Sequence, residues 1–472
     1  METIVFALQI IVLLGAIFIG IRLGGIGIGY AGGIGVVILG LALGMKPGNI
    51  PWDVILIIMS VIGAISAMQL AGGLDYLVQI AEKILRSNPR YINYLAPTVT
   101  YFLTILAGTG HTAFSMIPVI VEVAKEQNIK PSAPLSIAVV ASQIAITASP
   151  VSAAVVYMSG VLEPLGWSYP ILLGIWIPTT FIGCMLTAFI ITMFSNLDLS
   201  KDPIYQERLA KGLVKAPAGT QHTELKKGAK LSVLIFLIGV LAVVFYATTI
   251  SDVMRLPMLN YVNSLIASDS SLAVLASIVK SYIDPVIVPR DAAIMSFMLS
   301  VATFIVIFCK IEPGKIADTS VFKSGMVACV CVLGVAWLGN TFVEGHINTI
   351  KDLASVWVGK IPSLLAVVFF FAAMLLYSQA ATAKAITPAV IAALGISAAN
   401  PGDSYIIVAS FAAVSALFVL PTYPTLLGAV QMDDTGSTRL GKYVFNHAFL
   451  IPGILAIFLS VALGFGVVAL LA

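Results

Sequence analysis

Charge is scarce in this sequence: 10% of its 472 residues are Asp, Glu, Lys or Arg, where a soluble domain carries roughly a quarter. With 59% hydrophobic residues, such a chain belongs in lipid. Cysteine is scarce too. Cys184, Cys309, Cys329 and Cys331 all lie in apolar segments, and two thiols spaced two apart on a helix point to different faces. Neither a disulfide framework nor a metal cluster is expected. The first apolar run lacks the basic segment ahead and the small-residue cleavage site behind that mark a signal peptide, so it reads as a retained span. Hydrophilic stretches are missing except at 196–230, which leaves no soluble domain of useful size, and no nucleic-acid partner is expected.

What is present is a series of apolar runs, for example 4–21, 54–70, 171–194, 231–248 and 449–471. Each is long enough to cross about 30 Å of hydrocarbon. The expectation is an all-α polytopic protein in a lipid bilayer. Most of its 25 basic residues fall at Arg22, 83–90, 125–130, 201–230, 310–323 and 439–442, which the positive-inside rule makes cytoplasmic. The alternating loops at 46–51, 163–168, 251–290, 343–360 and 395–403 then face the periplasm, as do both termini. Segment 71–90, with Glu82, Lys83 and Arg86 among apolar residues, suits an interfacial helix. The 251–290 excursion contains a moderately apolar piece at 271–279.

The hydrophilic segment splits the chain into a first repeat at 1–195, a cytoplasmic linker at 196–230 and a second repeat at 231–472. Each half carries the same element. In the first, Gly108, Thr109, Gly110, His111 and Thr112 precede Pro118, and Ser149, Pro150, Val151 and Ser152 follow. In the second, Ser378, Gln379, Ala380, Ala381 and Thr382 precede Pro388, and Pro421, Thr422, Tyr423, Pro424 and Thr425 follow. Aligning the prolines matches Thr112 with Thr382 and Gly108 with Ser378. The element reads as a re-entrant hairpin followed by a broken transmembrane helix. Non-helical backbone at membrane depth is tolerated only where it is buried in protein or lines a cavity. One element is entered from the basic side and the other from the opposite side, so the repeats are inverted, and paired interruptions point to a midplane site.

A glycine-rich turn at the tip of a hairpin frees N–H groups and, with the threonines, suits an anion without a permanent counter-charge. The breaks at Ser149, Pro150 and Ser152 and at Thr422, Tyr423 and Thr425 free carbonyls and add hydroxyls. The alternatives are a packing bend and a simple proline kink. Thr112 and Thr382 are expected to matter more than Thr104, a hydroxyl away from the tip. His111 and Lys384 are ionisable groups in apolar hairpins, where a charge costs several kcal/mol. Each is a candidate to balance a substrate carboxylate, against a neutral imidazole bonded to a carbonyl or a structural ion pair. Glu122 and Glu126 read as surface groups, and Asp433 and Asp434 either as a cap or gate or as solvated charges. Gly27, Gly29 and Gly32 satisfy G-x-G-x-x-G but lack a preceding strand and a distal acid, so a helix-packing face of Gly25, Gly29 and Gly33 is the better reading.

Taken with Arg22, Leu23, Gly24 and Gly25, with Lys46, Pro47, Gly48 and Asn49, and with Gly72, Gly73, Leu74 and Asp75, these motifs resemble the anaerobic C4-dicarboxylate uptake and exchange (Dcu) family over nearly the whole chain. The resemblance implies exchange of fumarate, malate or aspartate for succinate across the inner membrane. It also implies hairpin-bearing repeats that move against a fixed scaffold in an elevator-like cycle, in a homodimer, without a cofactor. Substrate-binding candidates are Gly108, Thr109, Gly110, His111, Thr112, Ser149, Pro150, Ser152, Ser378, Gln379, Thr382, Lys384, Thr422, Tyr423 and Thr425. Symport of dicarboxylates with Na⁺ or H⁺ is the alternative within transport, and a co-sensor partnering a sensor kinase is one of another class. An enzyme is not expected, because no His/Asp/Glu pair at ligand spacing lies in the broken helices.

Overall fold

The computed structural model describes residues 2–23, 26–215, 224–268, 272–358, 360–421, 423–441 and 445–471. Among these, all regular structure is helical, and seven helical stretches are long and apolar enough to cross a membrane. Large apolar side chains such as Phe194, Leu241, Phe245 and Leu470 are exposed on the outside, as lipid-facing residues should be.

The chain opens with α1 (Glu2–Leu23), α2 (Gly27–Val37, prolonged by a π-helical turn Ile38–Ala42), α3 (Trp52–Leu70) and α4 (Gly73–Ser87). Helices α5 (Ile92–Ala107) and α6 (Ala113–Glu126) make a hairpin. Next, α7 (Ser132–Ile144) tightens into a 3₁₀ turn at Ala145–Ala148 and breaks before α8 (Ala153–Leu162), and α9 (Tyr169–Phe194) closes the series. After a short α10 (Pro203–Ala210) come α11 (Ala229–Thr249), the paired α12 (Asp252–Ala267) and α13 (Ala273–Ile283), and α14 (Arg290–Cys309). Then α15 (Ser320–Cys331) passes through a π-helical turn, Val332–Ala336, into α16 (Trp337–Gly345), with α17 (Ile347–Trp357) beyond it. The second hairpin is α18 (Leu364–Leu376) and α19 (Gln379–Ala393). Finally α20 (Ser404–Ser410) tightens to 3₁₀ over Phe411–Phe418 and breaks before α21 (Pro424–Met432), and α22 (Leu450–Leu471) ends the chain.

Packing between the two series is reciprocal. Helix α8 packs on α19 and α21 on α6; α3 packs on α14, and the π-helical turn after α15 on α2; α9 and α22 lie together. Indole N–H groups tie the series further, Trp167 donating to Ser404 Oγ (2.8 Å) and Trp176 to the Val408 carbonyl (3.0 Å). The glycine face of α2 is Gly29 and Gly32, which meet Val330 and Gly334 backbone, while Gly33 faces open space. Of the packing face expected at Gly25, Gly29 and Gly33, Gly25 lies outside the described residues, Gly29 packs as expected, and Gly33 gives way to Gly32, because α2 crosses a widened π turn rather than a regular helix.

The segment 196–215 is docked, not loose. Lys130 pairs with Asp202 (3.2 Å), Asn128 donates to Asp198 (2.9 Å), and Lys125 pairs with Asp434 (2.9 Å), whose carbonyl accepts from Arg208 Nε (2.8 Å). Asp433 caps its own turn through Thr435, Ser437 and the Thr438 N–H. Glu122 and Glu126, read from sequence as surface groups, both meet Arg86 of the amphipathic α4. Lys226 Nζ donates to the Leu70 carbonyl (2.8 Å), so α3 ends beside the linker. Its first turn lies at the opposite end, some 28 Å away at 1.5 Å per residue.

Candidate functional site

Both hairpins turn through a residue in the left-handed region. Gly108 has φ +65°, and its place is taken in the second hairpin by Tyr377, with φ +55°. A side chain at Gly108 would press on Val151, with Cγ2 at 3.0 Å and the carbonyl oxygen at 3.1 Å, and one at Gly110 would meet Gln143 Nε2 at 2.8 Å. Glycine is needed at the first tip for close approach as well as for conformation. Serines start the helices beyond the breaks: Ser152 accepts from the Val155 N–H (3.2 Å) to cap α8, and Ser378 from the Ala381 N–H (3.2 Å) to cap α19.

These features converge on one cavity enclosing about 100 Å³ of water-accessible volume. Gly108 and Thr109 border it from the first tip, Tyr377, Ser378 and Gln379 from the second, Ala153 from the start of α8, and Tyr423 from the start of α21. The starts of α8, α19 and α21 and the Gly108–Thr109 turn at the end of α5 therefore border one space, and helix starts carry N–H groups without intrahelical partners and the positive ends of their dipoles. None of its lining residues is charged. The opposite wall is mostly apolar, with Ile57, Ile58, Val61 and Ile62 of α3 and Val327 and Ala328 of α15 beside Ser324 and Cys331.

Of the residues singled out in the sequence, Gly108, Thr109, Ser378, Gln379 and Tyr423 line this cavity. Others stand behind it with their hydroxyls engaged. Thr112 Oγ1 lies 3.3 Å from both the Thr109 carbonyl and Thr104 Oγ1, and Thr382 donates to the Ser378 carbonyl (2.7 Å). Ser149 donates to the Ile105 carbonyl (2.6 Å), Ser152 to that of Ile146 (2.6 Å), and Pro150 accepts from the Tyr169 hydroxyl (2.8 Å). Thr425 accepts from Gln143 Nε2 (3.1 Å). Thr104, expected to matter less than Thr112, faces it across the two arms of the hairpin, its hydroxyl on α5 and that of Thr112 at the start of α6. Lys384 does not border the cavity. It sits one turn beyond Ala380 on α19 and forms an ion pair with Asp53, in the first turn of α3. Thr422 and the side chain of His111 lie outside the described residues.

Three participants escaped the sequence reading. Gln143, fully buried, joins α7 to both elements of the other half: its side chain donates to Thr425, and its carbonyl accepts from Gln379 Nε2 (3.1 Å). Tyr377 stacks on Tyr423 with ring centroids 6.3 Å apart. Asp53 supplies the partner of Lys384. Among the described residues no group of three or more His, Cys, Asp or Glu is placed to hold a metal.

The family model described as "Anaerobic c4-dicarboxylate membrane transporter" matches residues 5–472. The chain is 64% identical over 462 residues to the "C4-dicarboxylate transporter DcuA" of Helicobacter pylori strain J99, with 98% of each chain covered. It is 55% identical over 460 residues to the protein of that name from Escherichia coli K12, covering 97% of this chain and 98% of that one. Among solved structures, the Alcanivorax borkumensis YdaH transporter aligns over 93% of this chain and 87% of its own, at 13% identity and a TM-score of 0.47.

Proposed function

The chain belongs to the anaerobic C4-dicarboxylate membrane transporter family, and from that premise we propose that it exchanges C4-dicarboxylates across the bacterial inner membrane, taking up fumarate, malate or aspartate against succinate. It is a transporter, not an enzyme. The observation that carries the exchange reading is the uncharged cavity bordered by both hairpin tips and by the starts of α8, α19 and α21, so that both halves contribute to it. A C4-dicarboxylate presents two anionic ends a few ångströms apart. Opposed sets of oriented N–H groups suit both ends while leaving the affinity low enough for release.

Two unlike walls support alternating access. The polar wall belongs to the hairpins and broken helices (α5–α8 and α18–α21), and the apolar wall to α3 and α15. At the cavity that scaffold surface offers mainly apolar side chains, with the Ser324 hydroxyl kept on the Val321 carbonyl of its own helix, which favours an elevator-like displacement of the polar unit with its cargo. The basic linker end is cytoplasmic in this reading, both termini are periplasmic, and the working unit is a homodimer.

Cation-coupled symport would use carbonyls freed at the breaks. At the first break, however, the Ile146 and Pro150 carbonyls already accept from Ser152 and Tyr169, and Ser149 donates to the Ile105 carbonyl of α5, which favours exchange. The deciding experiment is uptake of labelled fumarate or aspartate into liposomes. Uptake that needs internal succinate supports exchange. Equal uptake into loaded and empty vesicles refutes it, and uptake into empty vesicles driven by a Na⁺ or H⁺ gradient establishes symport.

A further inference from the structure

At the end away from the linker, two ion pairs join the hairpin-bearing unit to the scaffold, with opposite polarity. Arg290 of α14 reaches Glu163, just beyond α8 (2.8 Å), and Lys384 of α19 reaches Asp53 of α3. The first is the more deeply buried and the more heavily bonded. Arg290 is 9% exposed, also donates to Ser159 Oγ (2.9 Å) and lies over the Tyr169 ring, 4.6 Å from its centroid. The second is built differently. Its side chains are 29% and 37% exposed, and each has the other as its sole hydrogen-bonding partner among the described residues.

Asp53 borders a second cavity, of about 420 Å³ open to water, together with Tyr157, Glu163, Arg290 and Asp291. This cavity shares Ile57 and Ala153 with the one between the hairpin tips, so Asp53 stands on the water-open side of residues that also border the inner cavity. Lys384 is four residues beyond Ala380, which lines the inner cavity, and therefore sits on the same face of α19. We propose that Asp53 and Lys384 form a carboxylate-exchange latch, in which a substrate carboxylate replaces that of Asp53 on the Lys384 ammonium and releases α19 from α3. The proposal rests on the transport reading and deepens it. Exchanging one carboxylate for another conserves charge at the ammonium. Without a substrate, movement of α19 would drag an unpaired ammonium along the apolar wall of Ile57, Ile58 and Val61, which is strongly unfavourable. The empty carrier is thereby locked, and exchange becomes obligatory.

The test uses the full-length protein in liposomes, with labelled succinate as probe. For Lys384→Gln, uptake into empty vesicles should approach uptake into loaded ones, lowering their ratio at least about tenfold. For Asp53→Asn, which removes the competing carboxylate, KM for succinate should fall about two- to fivefold. The double exchange Asp53→Lys with Lys384→Asp should keep the wild-type melting temperature and lose succinate exchange, because it restores the pair but presents the substrate with a carboxylate. Wild-type transport in the double exchange would overturn the latch, as would unchanged ratio and KM in the single variants. If wild type itself moves no C4-dicarboxylate, the transport reading fails instead.

Discussion

The two hairpin tips make the same turn with different chemistry. The first spends five residues, two of them glycines, and presses its backbone against Val151 and Gln143 of the broken helix in its own half. The second needs only Tyr377 and Ser378, and supplies side chains where the first supplies bare backbone: a stacked tyrosine ring, a capping hydroxyl and, one turn on, the Lys384 ammonium. The two hairpins share the fold of the element and divide the work, one tip built for close approach and the other for donors. Aligning Pro118 with Pro388 matches Gly108 to Ser378, whereas the left-handed residues are Gly108 and Tyr377, one position apart. The return helices are in register, but the turns are not.

The comparison is broken most forcefully at Gly108. Gly108→Val places a β-branched residue at φ +65° against the Val151 backbone and should destabilise the protein by about 3 kcal/mol, abolishing uptake. Tyr377→Gly relieves a left-handed side chain but removes a ring from Tyr423. Its melting temperature should change little, while KM for succinate rises. Similar losses in both variants would show the tips to be equivalent after all.

Next in size is Gln143→Leu, which leaves buried Thr425 without its donor and should cost about 1–3 kcal/mol by thermal unfolding. The paired serines sharpen the contrast further. Ser378→Ala should lower stability by about 1 kcal/mol and raise KM, because the hydroxyl both caps α19 and borders the cavity; Ser152→Ala, capping α8 from behind the cavity, should lower stability alone. Transport assays beside melting curves separate the two. The smallest effect concerns pH. Burial holds the pKa of His447 below its ordinary range, although a hydrogen bond to the Val419 carbonyl opposes the shift. The folded state therefore favours the neutral ring. Stability should be complete above about pH 6.5 and decline as pH falls through that value, where the unfolded chain gains the proton first. The decline should be shallower in His447→Gln, measured by unfolding between pH 5 and 8.

Much of the fold was legible because breaks in membrane helices announce themselves. Glycine at the first tip and prolines at 150 and 424 interrupt apolar runs, and their repetition pointed to paired hairpins and broken helices. The part of the site made of backbone was legible for the same reason: Gly108, Thr109, Ser378, Gln379 and Tyr423 are where the chain bends toward the cavity. Side-chain roles were harder to read. A threonine one turn into a helix satisfies its hydroxyl on the carbonyl four residues back, as Thr382 does, so proximity to a tip does not imply access to it. Gln143 and Asp53 gave no signal, since their partners lie 282 and 331 residues away and neither sits in a motif. Lys384 was conspicuous from its charge in an apolar segment, but the identity of its partner was not.

The reciprocal packing of the two halves also bears on how the chain is made. When the first half has left the ribosome, α8 has yet to meet α19, and α6 has yet to meet α21. The Gln143 side chain lacks Thr425, and the indole of Trp176 lacks the Val408 carbonyl. Contacts of such sequence separation form late. The nascent protein must therefore hold several broken, partly polar helices in lipid until its last hundred residues arrive to complete them. This gives the insertion machinery a long interval in which an incomplete half needs protection.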